Sequence, residues 1–281
     1  MELTSKELRN LQLCEFECLK EIKRICEKNS IPYFLIGGTL IGAVRHKGFI
    51  PWDDDVDVGM LRKDYDTFLE VAQKDINKEK FFLQTTETEN GCCDYEIARV
   101  RLNGTHLVEN HRENLPLHDG FFVEIMAYDD LPKGKKKCVF YSNYFKYMKK
   151  ILGIRKGYRY LVTNNIRKRK LFYFVANLTR IIPFKILHNK MKNYHLKYYE
   201  TNSEKVFLLA GAYNCFKESH LRETVSEYTK LEFEGELFNV PKNYDTFLRE
   251  QYGDYMQLPP EKKRKGKLFI KKVDFGEYLI K

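Results

Sequence analysis

A run of acids inside an apolar frame places the strongest constraint on how this chain can fold. Residues 50–60 read Ile-Pro-Trp-Asp-Asp-Asp-Val-Asp-Val-Gly-Met, so four carboxylates fall within five positions. Like charges at this density repel one another unless a cation lies among them. In a strand, Asp55 and Asp57 would share one face about 6–7 Å apart, while the valines enter the core. This arrangement suits a divalent cation such as Mg²⁺ or Mn²⁺, because such ions prefer oxygen ligands.

The other two acids of the run are assigned by the same alternation. Asp53 shares the parity of Asp55 and Asp57, so we expect it to enter the same cleft as a general base or a further ligand. Asp54 has the opposite parity and is expected to make a structural contact.

A glycine-containing turn precedes the acids. The apolar stretch 33–36 leads into Gly37, Gly38 and Thr39, and a helical pattern follows over 38–46. Glycine lets backbone N–H groups approach an anion, and a helix N-terminus adds partial positive charge. The turn alone is a weak signal. Followed some 16 residues later by an acid pair, it predicts a phosphate site beside a metal site.

Four basic residues near these motifs are candidates for contacting phosphate oxygens. Arg99 and Arg101 alternate with apolar residues in a strand-like run, so both point to one face. The planar guanidinium group suits phosphate, and an exposed sheet face is the alternative interpretation. Arg45 and Lys47 lie between the glycine turn and the acids, where they are expected to approach a nucleotide.

Three blocks of the sequence resemble one known family. The first runs without a gap from Ile36 to Val58 and contains the glycine turn and all four acids. The second contains Gly-Phe-Phe-Val-Glu-Ile at 120–125 and Asp-Asp-Leu-Pro at 129–132, and the third lies within 232–260. Together they are similar to the signature of the LicD family. That family belongs to the nucleotidyltransferase-fold superfamily and is related to fukutin-type proteins.

The resemblance implies an activity and a third metal ligand. The activity is metal-dependent transfer of phosphocholine from CDP-choline to a sugar hydroxyl of a teichoic acid, lipopolysaccharide or capsule precursor. Glu124 would join Asp55 and Asp57 as a ligand, although the family more often has aspartate there. CDP-ribitol or CDP-glycerol as donor, or nucleotidyl transfer, fits the same motifs. A non-catalytic adaptor of membranes or nucleic acid is disfavoured, because the acids are intact.

The positive charge of the chain is concentrated in one segment. The net charge is +10, and residues 131–199 contain 19 Lys and Arg but no Asp or Glu. Tyrosine and phenylalanine are interleaved with these cations. Such a segment suits an anionic membrane or a polyanionic, lipid-linked glycan acceptor. A helical subdomain that only packs on the core is the alternative, and nucleic acid is the least favoured partner.

The periodicity and the turn residues predict an α+β fold with a mixed sheet flanked by helices. With the resemblance, we expect a nucleotidyltransferase-like core over 1–137, a basic aromatic helical subdomain over 138–200, and a C-terminal segment, 201–281, that packs back on the core. Helices are predicted at 5–28, 38–46, 63–74 and 244–251, and strands at 33–36, 54–59, 81–84, 95–101, 121–126 and 206–209.

Cysteine usage and hydropathy bear on location. The chain has no 18-residue apolar run, and residues 1–7 lack the apolar segment of a secretory signal. The seven cysteines have no regular spacing, which favours reduced thiols. We expect a cytoplasmic protein, with peripheral contact to the inner face of the membrane if 138–200 binds lipid. Zinc at Cys92, Cys93 and His106 is an alternative that no Cys-x₂-Cys pair supports.

Overall fold

The structure is a computed structural model that describes residues 2–89, 97–158, 165–199, 201–211, 215–266 and 268–279. Within these residues the chain forms seven α-helices and eleven strands, which confirms the predicted α+β class. The helices are α1 (Ser5–Lys28), α2 (Gly37–His46), α3 (Arg62–Asp75), α4 (Lys135–Lys156), α5 (Ile166–Leu178), α6 (Phe184–Leu196) and α7 (Tyr244–Tyr252). The strands are β1 (Phe34–Leu35), β2 (Asp57–Leu61), β3 (Phe81–Gln84), β4 (Ile97–Leu102), β5 (His106–Glu109), β6 (Phe122–Asp130), β7 (Lys205–Leu208), β8 (Ser219–Leu221), β9 (Tyr228–Phe233), β10 (Glu236–Pro241) and β11 (Ile270–Asp274).

A seven-stranded mixed sheet forms the centre of the structure. Its order is β1-β2-β6-β4-β3, and β7 pairs with the last residues of β6 and with β8. Strands β2 and β6 are parallel, and this pairing places Asp57 opposite Glu124. The antiparallel pair of β4 and β6 places Arg99 opposite Glu124. Because cross-strand partners share a face of the sheet, strand register alone brings Asp57, Glu124 and Arg99 side by side.

Helix α1 covers the sheet and begins where the sequence predicts. The Thr4 side chain accepts a hydrogen bond from the Glu7 N–H at 3.3 Å, and the Glu7 carboxylate accepts one from the Thr4 N–H at 2.8 Å. This capping box satisfies two N–H groups that a helix start otherwise leaves unpaired. The buried side chains of α1 recur at helical spacing, and the helix contacts β4 and β6.

A second, smaller apolar cluster lies among α4, α6 and β7. Its buried residues are Leu131, Cys138, Tyr141, Phe145, Leu152, Met191, Phe207 and Cys215. Helix α4 ends at Gly157 with a left-handed backbone, and Pro183 precedes α6. The proposed division at residues 137 and 200 stays a prediction.

A buried ion network joins the core to this helical region. The Arg62 guanidinium donates Nε to Asp129 Oδ1 at 2.7 Å and Nη2 to Asp129 Oδ2 at 3.0 Å. His195 Nε2 lies 3.0 Å from the same Oδ1. Burial raises the pKa of Asp129, but the charges of Arg62 and His195 outweigh burial and hold the pKa well below its ordinary value. The network therefore links α3, β6 and α6 through one carboxylate.

Two strand predictions are corrected by the structure. The strand predicted at 54–59 begins only at Asp57, so Asp55 lies in a loop and the alternation argument does not apply to it. The hairpin of β9 and β10 was missed. Its turn residues Glu234 and Gly235 both have positive φ, 52° and 80°, and such turns normally carry Asn-Gly or Asp-Gly. Arg9 holds the unusual glutamate through two hydrogen bonds to its carboxylate.

We predict that Asp129→Asn lowers the free energy of unfolding by about 3–5 kcal/mol, because it removes the buried carboxylate that pairs with Arg62 and His195 and leaves Arg62 only its 3.3 Å contact with the exposed carboxylate of Asp66. Urea unfolding at pH 7 measures the effect. Since the folded-state pKa of Asp129 is depressed, the wild type keeps this contribution above about pH 4 and loses it as the pH falls further. The exposed pair of Glu227 and Lys242 is the control, and Glu227→Gln should cost less than about 1 kcal/mol. Equal losses in both variants would contradict this account.

Candidate active site

The four acids form a compact group that we call the acid loop (residues 53–57). One carboxylate oxygen from each of Asp53, Asp54 and Asp55 lies within 4.8 Å of the others, a spacing that one metal ion can bridge. Asp57 follows as the first residue of β2, beside Glu124 of β6. Asp53 and Asp54 are buried, and Asp55 and Asp57 are half-buried. The predicted ligands thus come from the loop and from two parallel strands.

The glycine turn lies directly against these acids. A Cβ atom on Gly38 would lie 2.3 Å from Asp53 Oδ2, and one on Gly37 would lie 3.1 Å from Asp57 Oδ2. Gly37 also has a φ of +58°, which favours glycine. The missing side chains let the carboxylates approach the start of α2, where the first N–H groups lack helical partners. Asp53 and Asp57 therefore both lie against the start of α2, although Asp53 precedes the strand and its position does not follow from strand alternation.

Thr39 and Asp54 fix the acid loop from opposite sides. The Thr39 hydroxyl accepts a hydrogen bond from the Asp57 N–H at 2.9 Å, and Thr39 is buried. Its side chain therefore holds the start of β2, which differs from the predicted contact with phosphate. Asp54 Oδ2 accepts a hydrogen bond from the Leu268 N–H at 3.0 Å, the structural role that its parity predicts.

The predicted phosphate cations have different environments. Arg99 contacts Glu124 Oε1 through Nε at 2.9 Å and Nη2 at 2.6 Å, so it lies at the site. Arg101 is 1% exposed and donates to Gln84 Oε1 and Gly120 O, which contradicts the prediction that it contacts phosphate. The guanidinium groups of both arginines lie over the Phe122 ring. The predicted alternation of β4 is therefore correct, but this face of the strand is buried rather than exposed.

Arg45 and Lys47 lie at the C-terminal end of α2. Lys47 is exposed, and its Nζ lies 3.4 Å from Glu232 Oε2. Lys47 also lies about 15 Å along the helix from the glycine turn. This position contradicts its predicted role at the nucleotide. Arg45 Nη1 donates to Tyr255 O at 2.8 Å. Burial lowers the pKa of Arg45, and the charge of Asp53 acts in the opposite direction, so the guanidinium senses the acid loop.

Two C-terminal residues lie beside the site: Tyr252, within the third block of the family resemblance, and Arg264, which lies outside it. The Tyr252 hydroxyl lies 3.8 Å from the position of a Cβ on Gly37, and the Arg264 guanidinium lies 5.5 Å from the centre of the Trp52 ring. Next to Trp52 and Asp54 is a cavity of about 520 Å³, whose lining includes Arg264. This volume falls within the range of small-molecule sites. Glu15 of α1, also without a motif, is buried near the acid loop.

The alternative of a zinc site at Cys92, Cys93 and His106 falls partly outside the described residues. Cys92 and Cys93 lie outside the described residues, and His106 Nδ1 is 2.8 Å from Asp119 Oδ1. Cys14, Cys18, Cys26, Cys138 and Cys215 are free and buried. Among the described helices, none combines the length and the apolar character that a membrane span requires.

Comparisons with known proteins identify the relatives of this chain. The family described as LicD/FKTN/FKRP, nucleotidyltransferase domain, matches residues 30–153, which contain the glycine turn, the acid loop and Glu124. The chain is 31% identical to the lipopolysaccharide cholinephosphotransferase LicD of Haemophilus influenzae, over 92% of this chain and 94% of that protein.

Shorter matches cover single segments of other relatives. The ribitol 5-phosphate transferase FKRP of Mus musculus is 42% identical over 55 residues, which are 18% of this chain and 11% of that protein. An uncharacterised protein of Rickettsia prowazekii is 45% identical over 49 residues, 17% of this chain and 18% of that protein.

The fold and site define an α+β protein that gathers carboxylates at a glycine-rich helix start. The chain belongs to the LicD family, because its similarity to the Haemophilus influenzae protein extends over nearly the whole length of both. This membership supports phosphotransfer in glycan modification as the chemistry of the site.

Substitutions of two glycines of α2 distinguish an effect on the geometry of the site from an effect on the stability of the fold. Gly38→Ala should displace Asp53 and abolish donor-dependent phosphotransfer, while helix propensity keeps the free energy of unfolding within about 1 kcal/mol of wild type. Gly42→Ala is the contrasting variant, because its Cβ would lie 2.4 Å from the backbone oxygen of Gly48 and should cost about 1–3 kcal/mol. Urea unfolding and a transfer assay measure both. An active Gly38→Ala enzyme would contradict the placement of Asp53 in the reaction cleft.

Proposed function

We propose that this chain is a metal-dependent phosphotransferase that moves phosphocholine from CDP-choline to a sugar hydroxyl of a cell-surface glycan precursor. The observation that carries the proposal is the convergence of Asp53, Asp57 and Glu124 beside the start of α2. The similarity to a lipopolysaccharide cholinephosphotransferase over nearly the whole chain supports the choice of donor and acceptor class.

The residues present fit a Mg²⁺ or Mn²⁺ ion. Asp55 and Asp57 would be its ligands, and all candidate donors are hard oxygens. Glu124 would join them: both of its contacts with Arg99 involve Oε1, so Oε2 is the atom that we assign to the ion. A bound Mg²⁺ supplies positive charge that offsets the charge on the diphosphate and on the departing CMP.

Groups of the protein would position the donor and accept the proton of the acceptor hydroxyl. Backbone N–H groups of Gly37, Gly38 and Thr39 would donate to phosphate oxygens, and Arg99 adds positive charge beside them. The acceptor hydroxyl oxygen attacks the phosphorus of the phosphocholine group, and the bond from that phosphorus to the CMP oxygen breaks. CMP leaves with the bonding electrons, and we assign the hydroxyl proton to Asp53, which lies against the glycine turn.

Another phospho-alcohol is the second candidate for the transferred group. The segment match to a ribitol 5-phosphate transferase favours it, since one metal site serves any CDP-alcohol. The cavity beside Trp52 and Arg264 is where we place the part of the substrate that differs between donors. Transfer of the nucleotide itself would leave different products, a nucleotidylated acceptor and pyrophosphate or phospho-alcohol instead of CMP.

We also propose that the basic helical region binds an anionic membrane that carries the acceptor. Large apolar side chains are exposed along α5 and α6 and the turn between them: Leu171 (63%), Phe174 (60%), Leu178 (51%), Ile181 (86%) and Ile186 (56%). The sequence around them contains positively charged residues and no negatively charged ones. A partner surface that matches it is therefore anionic and partly apolar. A lipid leaflet provides both properties, whereas nucleic acid provides only the charge.

Asp55→Asn and Asp57→Asn should each lower CMP release from CDP-choline by about a hundredfold or more, because each removes a ligand from the ion. The thermal unfolding midpoint of each metal-free variant should not fall below that of metal-free wild type, because each substitution removes one negative charge from the crowded acid loop. The assay compares CDP-choline, CDP-ribitol and CTP with Mg²⁺ and with EDTA, and product analysis identifies the transferred group. Glu227→Gln is the control. Turnover that persists with EDTA or in either aspartate variant would remove the metal-dependent proposal.

Neutralising Arg167, Lys168, Arg169 and Lys170 to glutamine should weaken binding to phosphatidylglycerol vesicles. Each basic residue near an anionic leaflet contributes about 1 kcal/mol, so the loss reaches up to about a thousandfold at low salt. Vesicle sedimentation measures it, with phosphatidylcholine vesicles as the uncharged comparison.

A control variant neutralises four other exposed lysines, Lys230, Lys242, Lys271 and Lys272, and has the same net charge. The proposal requires the α5 variant to lose more vesicle binding than this control. Equal losses, or loss of RNA binding with vesicle binding unchanged, would contradict a membrane-binding role.

A further inference from the structure

Glu15 of α1 is enclosed by protein and has no evident structural purpose. It is 0% exposed, and neither carboxylate oxygen has a hydrogen-bond partner among the described residues. A buried carboxylate without partners is costly, because it loses its hydration and gains nothing in exchange. Buried acids in folded proteins are therefore normally paired, as Glu21 of the same helix is with Arg24.

The surroundings of Glu15 point to the acid loop. Gln12, one turn earlier on the same face of α1, donates its side-chain N–H to Asp53 O at 3.0 Å and to Ile50 O at 3.4 Å. This face of the helix thus contacts the backbone of the acid loop. Burial raises the pKa of Glu15 well above its ordinary value, and the four aspartates of the acid loop raise it further. Its charged neighbours are the candidate metal site.

Five carboxylates therefore lie near one another, and Glu15 is the most buried of them. A neutral side chain of the same shape would fill this position without electrostatic cost, so the charged form of Glu15 needs a partner that the described residues do not supply. A divalent cation held by the acid loop has the sign and the charge to be that partner.

We propose that Glu15 is a further carboxylate of the divalent-cation site, which α1 supplies to the oxygen shell of the ion from the buried side. The inference rests on the proposed function, since the ion at Asp55 and Asp57 is itself part of that proposal. On this account the ion connects α1 to the acid loop, and its binding completes the packing between them.

The test is a titration of Mn²⁺ into wild type and Glu15→Gln, followed by calorimetry and by the electron paramagnetic resonance signal of free Mn²⁺. Glutamine keeps the size of the side chain and removes its charge. We expect the Kd for Mn²⁺ to rise about tenfold or more. We also expect the metal-free variant to unfold at a higher temperature than metal-free wild type, because glutamine places no ionisable group beside the four aspartates.

Glu21→Gln is the matched control on the same helix. It should leave the Kd for Mn²⁺ unchanged and lower the unfolding temperature, because it breaks the pair with Arg24. Glu15→Asp keeps the charge, but the side chain is one methylene shorter. This variant should bind Mn²⁺ more tightly than Glu15→Gln.

An unchanged Kd in Glu15→Gln would overturn the inference while leaving the metal site of the acid loop intact. Failure of Glu15→Gln to fold would overturn it too, because the carboxylate would then be needed by the metal-free protein. Absence of Mn²⁺ binding in wild type would overturn the proposed function as well, which keeps the two failures distinguishable.

Discussion

Mutual repulsion within the acid loop is the constraint on which the rest of the structure depends. Asp53, Asp54 and Asp55 have oxygens within 4.8 Å of one another, and Asp57 and Glu15 lie close by. The protein opposes this repulsion with structure: a helix start aimed at the acids, a threonine hydroxyl on one backbone amide and a C-terminal amide on one carboxylate. These contacts fix the positions of the acids, and the proposed cation would supply positive charge among them.

The sheet brings to this point the groups that the loop lacks. The single parallel pairing among the described strands, β2 with β6, places Glu124 beside Asp57, and antiparallel β4 then adds Arg99. Parallel pairing requires a long connection, and the chain uses it to carry α3, β3, β4 and β5. The basic helical region follows β6 directly and is tied to the core through Asp129. The Arg62–Asp129–His195 network thus joins the basic helical region to the sheet that carries the candidate site.

The sequence predicted much of the fold because local signals were strong. The capping box set the start of α1, and alternation placed Arg99 and Glu124 on strands. Alternation failed for Asp55, since the loop continues to Val56 before pairing begins. It also could not report that Arg101 is covered, because coverage depends on residues distant in the chain.

Contacts between distant segments account for what the sequence did not reveal. Glu15, Tyr252 and Arg264 come from the two ends of the chain; Tyr252 lies in the third block of the family resemblance, but no local spacing assigns a role in the site to any of the three. Their positions follow from packing of α1 and of the C-terminal segment on the loop. For Glu15, the one available signal was an acid on the buried side of an amphipathic helix. Its role depends on what the helix packs against, which the sequence does not reveal.

Anomalous diffraction from crystals grown with Mn²⁺ and CDP-choline tests the central claim most directly. The account predicts a manganese peak within coordination distance, about 2.0–2.6 Å, of oxygens from Asp55 and Asp57, with the diphosphate of CDP-choline on its far side. Clear density for CDP-choline with no manganese peak at the acid loop, or a peak bound only by other residues, would contradict it.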